Sequence, residues 1–195
     1  MANFLFDLYG VLIKHRTDSD RRGVERRLGI DAEHRQAFWD AYHDLRDPLD
    51  RGTVSDKQWW EDVARASGTS FDIADAIKTE TDTLLFAHED AVAAARDLIK
   101  EGHRVGVLSN IPHVLANGLV NEHPWFDEFY SVTFSCDIHA IKPEPEAFYK
   151  ALAALGTEPA DTIFFDDTAV NVHAARELGM TGVLYRTVAD IHGVS

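Results

Sequence analysis

Asn3-Phe4-Leu5-Phe6-Asp7-Leu8-Tyr9-Gly10-Val11-Leu12 is the stretch on which the reading of this chain turns. Phe4, Leu5 and Phe6 form a continuous apolar run, as expected of a short strand buried on both faces. Asp7 places a carboxylate where that strand would leave the core, and Gly10 permits a turn directly afterwards. An acid at the carboxyl end of a central strand stands where open α/β sheets bind their ligands. Asp7 is therefore a candidate nucleophile, and it needs partners from elsewhere in the chain.

Outward from this strand, the pattern changes twice. Residues 15–88 carry only helical periodicity. Asp31 is expected to cap a helix bearing Phe38, Trp39, Tyr42 and Leu45, and Ser55-Asp56-Lys57-Gln58 has the form of a capping box. From residue 89 onward helices alternate with apolar strands. The helices Glu89–Glu101, Glu144–Leu155 and Ala169–Leu178 stop at Gly102, Gly156 and Gly179. Strands are expected at Val105–Leu108, Tyr130–Phe134, Thr162–Phe165 and Gly182–Tyr185. This predicts an α/β fold, a Rossmann-like parallel sheet flanked by helices. Residues 1–14 and 89–195 would form the core domain, with residues 15–88 inserted as a helical cap.

The length of 195 residues suffices for a full core. A formal net charge of −14 argues against nucleic acid or an anionic membrane surface as partner. The lone cysteine, Cys136, rules out an intrachain disulfide and a cysteine-based zinc site. With no signal-peptide pattern and no membrane-length apolar run, the expected setting is the cytoplasm.

Polar residues stand just beyond several strand ends: Asp7, then Ser109 and Asn110, then Lys142 in the loop after Phe134, then Asp166 and Asp167. Each has a plainer reading. Asp167 and Thr168 could cap the following helix, and Lys142 could be a solvated loop residue. In a parallel sheet, however, these ends converge on one edge. Three converging carboxylates would raise one another's pKa unless a cation intervened. One lysine and Mg²⁺, which favours one or two carboxylates with waters and phosphate oxygens, would resolve that conflict.

Phe6-Asp7-Leu8-Tyr9-Gly10-Val11-Leu12, Leu108-Ser109-Asn110, Ile141-Lys142-Pro143-Glu144 and Phe164-Phe165-Asp166-Asp167 resemble, in order, the four motifs of the haloacid dehalogenase-like hydrolase superfamily. Within it, the chain is similar to small capped phosphatases, of the soluble epoxide hydrolase N-terminal domain or sugar-phosphate phosphatase type. The resemblance implies that Asp7 forms an aspartyl-phosphate. It also implies Mg²⁺ held by Asp7, the main-chain carbonyl of Tyr9 and Asp167, with Asp166 acting through water. Ser109 and Asn110 would hold phosphoryl oxygens, Lys142 would orient Asp7, and Asn171 would support the metal loop. The implied substrate is a small-molecule phosphate ester, acted on by a monomer or homodimer.

One position departs from this pattern. Phosphatases of the family carry a second aspartate two residues after the nucleophile, as acid and base; here it is Tyr9. The backbone metal contact survives, but an unperturbed phenol, with a pKa of about 10, is a poor acid at neutral pH. Loss of a general acid costs roughly 10²–10⁴-fold in rate, so turnover is expected to be weak. Asp-x-Tyr is the first motif of 2-haloacid dehalogenases, the alternative reading; a phosphate-binding regulator without turnover is a second. The acid pair Asp166-Asp167 favours the metal-dependent phosphatase, because paired acids call for a cation. His139 is expected to be a surface-loop residue, and Arg46 and Arg51 a solvated helix end. Trp59 and Trp60 are expected in the core of the cap, and no zinc, dinucleotide, Walker or serine-hydrolase pattern occurs.

Overall fold

The computed structural model describes residues 2–194. Its parallel sheet has five strands, β1 (Asn3–Phe6), β2 (Arg104–Ser109), β3 (Ser131–Phe134), β4 (Thr162–Asp166) and β5 (Thr181–Leu184). Their order is β3-β2-β1-β4-β5. The chain winds outward from β1 through β2 to β3, then crosses to the other side of β1 for β4 and β5. The reversal lies at β1, so its carboxyl end opens into the crevice where such sheets bind ligands. Phe4, Leu5 and Phe6 are fully buried. Phe4 and Phe6 pack into one apolar cluster and Leu5 into another, on opposite faces of the sheet. Burial of each such side chain stabilises the fold by about 1.5–3 kcal/mol.

Between β1 and β2 lie α1 (Asp18–Leu28), α2 (Arg35–Asp44), α3 (Arg46–Asp50), α4 (Asp56–Ser67) and α5 (Ile73–Leu84). Thr17 and Asp20 close a reciprocal capping box on α1, and Ser55 and Asp72 cap α4 and α5. These helices enclose an apolar cluster of their own, built around Phe38, Trp59, Trp60 and Val63. Where the chain leaves and re-enters the sheet domain, its two passes run side by side. Lys14 N donates to Phe86 O and His88 N to Leu12 O, both at 2.8 Å.

The remaining helices are α6 (Glu89–Lys100), α7 (His113–Glu122), α8 (Ser135–Ile138), α9 (Pro145–Leu155), α10 (Ala169–Glu177) and α11 (Ala189–His192). The cluster around Phe4 and Phe6 takes side chains from α6, α7 and α11; that around Leu5 takes them from α9 and α10. No helix among the described residues is long and apolar enough to cross a membrane.

Two local expectations need correction. Asp31 does not cap the helix bearing Phe38: its carboxylate accepts the His34 backbone N–H at 2.9 Å, closing a turn, and α2 begins after His34. The Ser55 box is only half formed. Ser55 Oγ accepts the Gln58 N–H, but the Gln58 carboxamide donates to Asp62.

Candidate active site

Register brings the acids together. Phe6 pairs with Phe165, and Asp7 N donates to Phe165 O at 2.9 Å, so Asp7 and Asp166 are the next residues on adjacent strands. Parallel strands lie about 4.8 Å apart. Asp167 follows directly, and one carboxylate oxygen from each of Asp7, Asp166 and Asp167 lies within 4.8 Å of the others. Gly10 lets this happen. It adopts φ +83°, and a Cβ there would stand 2.1 Å from Asp167 Oδ2.

Lys142 Nζ sits 2.7 Å from Asp7 Oδ1 and 2.7 Å from Asp166 Oδ2. It is buried, not a solvated loop residue. Asn110 positions it: Nδ2 donates to Lys142 O at 2.9 Å, and Oδ1 accepts the Lys142 N–H at 2.8 Å. The Asn110 carboxamide is thus engaged at both ends by the lysine's main chain, and the residue also lines the cavity. Ser109 Oγ differs: it is buried without a hydrogen-bond partner. Standing at the carboxyl end of β2, it is free to donate to a group bound at this edge.

The expected cap is not formed: Thr168 stands at the start of α10 with no side-chain cap, its hydroxyl donating to Asp167, and Asp166 closes the turn instead. Its Oδ1 accepts the Thr168 N–H at 2.8 Å, and its Oδ2 accepts from Asn171 Nδ2 at 3.0 Å as well as from Lys142. Asn171 therefore holds the acid in place. Asp167 is half-open and bonded to His15 Nε2 at 2.9 Å. That bond and the charge of His15 outweigh burial and hold the Asp167 carboxyl below its ordinary range.

The charges do not balance. Burial, reinforced by Asp166 and opposed by Lys142, pushes Asp7 up to about 7. Burial alone would depress the Lys142 amine, but Asp7 and Asp166 outweigh it and raise it. Three carboxylates share one amine and the edge of one imidazole. Hard oxygen donors with an uncompensated negative charge fit a divalent cation such as Mg²⁺.

The Tyr9 phenol points toward the helical block, donating to Leu84 O at 3.1 Å. Burial pushes its pKa up, with Arg46 opposing and Glu80 adding to the effect. It is a weaker acid than a free phenol. His15, which the sequence reading passed over, lies nearly parallel to the Tyr9 ring. No motif or spacing marks it; only the fold brings it to Asp167.

A cavity of about 510 Å³ lies between the helical block and the sheet edge, lined by Tyr9 and Asn110 on one side and Arg16, Arg21, Trp39 and Arg46 on the other. Here a correction applies: Arg46 is no solvated helix end. It bonds Asp50 at 2.9 Å and Glu80 at 2.8 Å in the cavity wall. Arg51 instead pairs with Glu144, across from the helical block to the sheet domain. His139 is exposed, as expected, and its Nδ1 donates to Arg51 O at 2.8 Å.

The family model for haloacid dehalogenase-like hydrolases matches residues 1–179. The Bacillus subtilis protein YhcW is 31% identical over 47% of this chain, an alignment spanning only 40% of that relative. Phosphatase MT3486 of Mycobacterium tuberculosis is 26% identical over 92% of this chain and 85% of its own length. Among solved structures, a HAD family enzyme of Bacteroides thetaiotaomicron, in complex with magnesium and inorganic phosphate, superposes with a TM-score of 0.75. It is 21% identical, over 93% of this chain and 92% of that one.

Proposed function

This chain belongs to the haloacid dehalogenase-like hydrolases, and from that premise we propose that it is a Mg²⁺-dependent phosphomonoesterase with Asp7 as nucleophile. One observation carries the reading. A single buried amine bridges Asp7 and Asp166 at 2.7 Å each, with Asp167 close enough to complete an ion site.

Asp7, Asp167 and the Tyr9 carbonyl would hold Mg²⁺, with Asp166 contributing through water. When bound, the ion supplies positive charge to the phosphoryl oxygens. Asp7 attacks phosphorus as the ester P–O bond breaks, giving an aspartyl-phosphate and an alkoxide or aryloxide that takes its proton from solvent. Water then attacks the same phosphorus, releasing inorganic phosphate and regenerating Asp7. Lys142 fixes the attacking carboxylate and offsets charge on the transferring group. The unpartnered Ser109 hydroxyl donates to a phosphoryl oxygen. Asn110 acts through Lys142, holding its main chain. Helices α1–α5 act as a cap that excludes water from the reacting groups.

Tyr9 sets the limit on this chemistry. Its phenol O–H is committed to Leu84 O and is a weaker acid than a free phenol, so the departing oxygen gets no help from it as the P–O bond breaks, and substrates with good leaving groups are favoured.

The test is a phosphate-release screen over aryl and alkyl esters, with Mg²⁺ or EDTA, and Asp7→Asn as blank. Turnover lost in EDTA and in Asp7→Asn supports the proposal. The Asp-x-Tyr motif keeps the dehalogenase reading in view; halide release from 2-chloropropionate in EDTA would establish it instead. Vanadate binding without turnover would point to a non-catalytic phosphate binder.

A further inference from the structure

The cavity between cap and core concentrates guanidinium groups in a chain whose net charge is −14. They are not equivalent. Arg16 is fixed by Thr83 and Tyr42 at 2.8 Å each and neutralised by Glu80. Arg46 is neutralised by Asp50 and Glu80. Both belong to the wall.

Arg21 is different. On α1 its partner at i+4 would be Glu25, but both oxygens of that carboxylate are taken. Oε2 accepts from Arg35 Nε at 2.7 Å and Oε1 from the Trp39 indole N–H at 2.9 Å. An Arg preceding Glu at this spacing is in any case the weaker orientation for a helical ion pair. No carboxylate bridges Arg21 among the described residues. Its guanidinium instead lies 5.2 Å from the Trp39 ring centroid, in cation–π contact. The Glu25 hydrogen bond holds that ring still, so the cation is placed in advance at the cavity's edge. Of the three guanidiniums lining this end of the cavity, Arg16 and Arg46 are paired with Glu80 and Asp50, and Arg21 alone carries no ion pair among the described residues. Partial desolvation and then the three guanidiniums, opposed by Asp44, hold the His43 imidazole below its ordinary pKa although the residue reaches solvent. Tyr9, Trp39, Tyr42 and Leu84 give the cavity an apolar and aromatic middle.

We propose that Arg21, seated on Trp39, is a specificity residue that receives a second anionic group of the substrate. This rests on the phosphomonoesterase reading. The substrate class is then a phosphomonoester with an apolar or aromatic body and, at the end remote from the ester, a carboxylate or second phosphate. The reacting phosphate meets the acids and Lys142, while the distal anion meets an exposed guanidinium whose contact with Trp39 lowers the cost of ordering it. Arg21 binds and does not take part in bond breaking, so its effect falls on KM.

The experiment compares 3-(4-phosphonooxyphenyl)propanoate, its neutral propanamide and phenyl phosphate in Mg²⁺, with wild-type protein and Arg21→Gln. Wild type is expected to prefer the carboxylate over the amide by about tenfold or more in kcat/KM, carried by KM. Arg21→Gln should erase that preference and leave phenyl phosphate within about twofold. The same ligands are titrated calorimetrically into Asp7→Asn, with and without Arg21→Gln, so that binding is read without turnover. An Arg21-dependent binding preference with no hydrolysis of any ester upholds the subsite and removes the phosphatase reading. Hydrolysis without a carboxylate preference, or a preference that survives Arg21→Gln, overturns the subsite alone.

Discussion

Replacing Glu80 by Gln would test whether the cavity wall is an electrostatic unit. Glu80 is buried on α5 and accepts from Arg16 Nη2 at 3.3 Å, from Tyr42 OH at 2.8 Å and from Arg46 Nη1 at 2.8 Å. Glutamine keeps the shape and one acceptor but turns an amide N–H₂ toward a guanidinium. Arg46 retains Asp50; Arg16 retains only neutral acceptors. Breaking a buried ion pair from one side costs about 3–5 kcal/mol. The adjoining cavity admits water, so the lower end, roughly 3 kcal/mol, applies. For a chain of this size, that lowers Tm by roughly 6–12 °C. Urea unfolding at unchanged slope measures the loss directly. The pH dependence gives a second check. Burial would raise the Glu80 pKa, but Arg46 and Arg16 outweigh it, so the folded-state value is lowered. Its contribution is therefore fully present above the unfolded pKa of about 4.3 and is lost as pH falls through the depressed folded value. The gap between wild type and Glu80→Gln should be constant near neutrality and shrink in acid. A loss below about 1 kcal/mol at pH 7, or a gap unchanged in acid, would mean that water screens the cluster and the reasoning fails.

Lys142→Met, which keeps the stem and removes the amine, should cost about 3–5 kcal/mol in chelator and lower turnover at least about 10²-fold. Saturating Mg²⁺ should recover part of the stability but not the rate, and equal stability in chelator would contradict the ion pairs. Asn110→Ala removes both bonds to the Lys142 main chain, at about 1–3 kcal/mol. It should lower kcat with little change in KM, and a KM effect alone would mean that Asn110 touches substrate instead. Tyr9→Asp should raise turnover of an alkyl phosphate far more than that of an aryl phosphate. Equal gains on both would count against Tyr9 occupying the position of the acid–base group.

Much of this arrangement was legible because strand ends carry their own signals. The apolar run Phe4–Phe6, the glycines that stop three helices and the acids after β1 and β4 together placed the crevice. What stayed hidden depended on contacts between distant residues. Helix α7 has no capping side chain after Pro112 and carries Asn117 and Gly118 in its interior, so propensity and caps both argued against it. The partial burial of Arg46 follows from Glu80 on another helix, which periodicity cannot reveal. His15 is 152 residues from Asp167, and only the turn at Gly10 brings the two side chains together. Asn110 stood at the right strand end, but which partner its carboxamide takes depends on a loop 32 residues onward.

The contacts between cap and core also differ in kind from the contacts within each. Apart from Leu84 at the end of α5, which joins the sheet domain's cluster near the crossing, separate apolar clusters fill the helical block and the sheet domain, and polar bonds join the rim away from the crossing. At one rim Arg51 pairs with Glu144, His139 bonds Arg51 O and Ser135 Oγ donates to Asp50 O. The opposite side is the paired crossing near Lys14 and His88, which the covalent chain anchors. Water can replace hydrogen bonds and partly exposed ion pairs at little net cost, but it cannot replace apolar packing. Any separation of cap from core should therefore begin at the Arg51–Glu144 rim and pivot at the crossing. Glu144 lies two residues beyond Lys142, so the rim that closes over the cavity is tied to the loop that delivers the amine. The amine itself stays with the sheet domain, held by Asn110, Asp7 and Asp166, so opening at this rim would admit substrate and water without taking the charged centre apart.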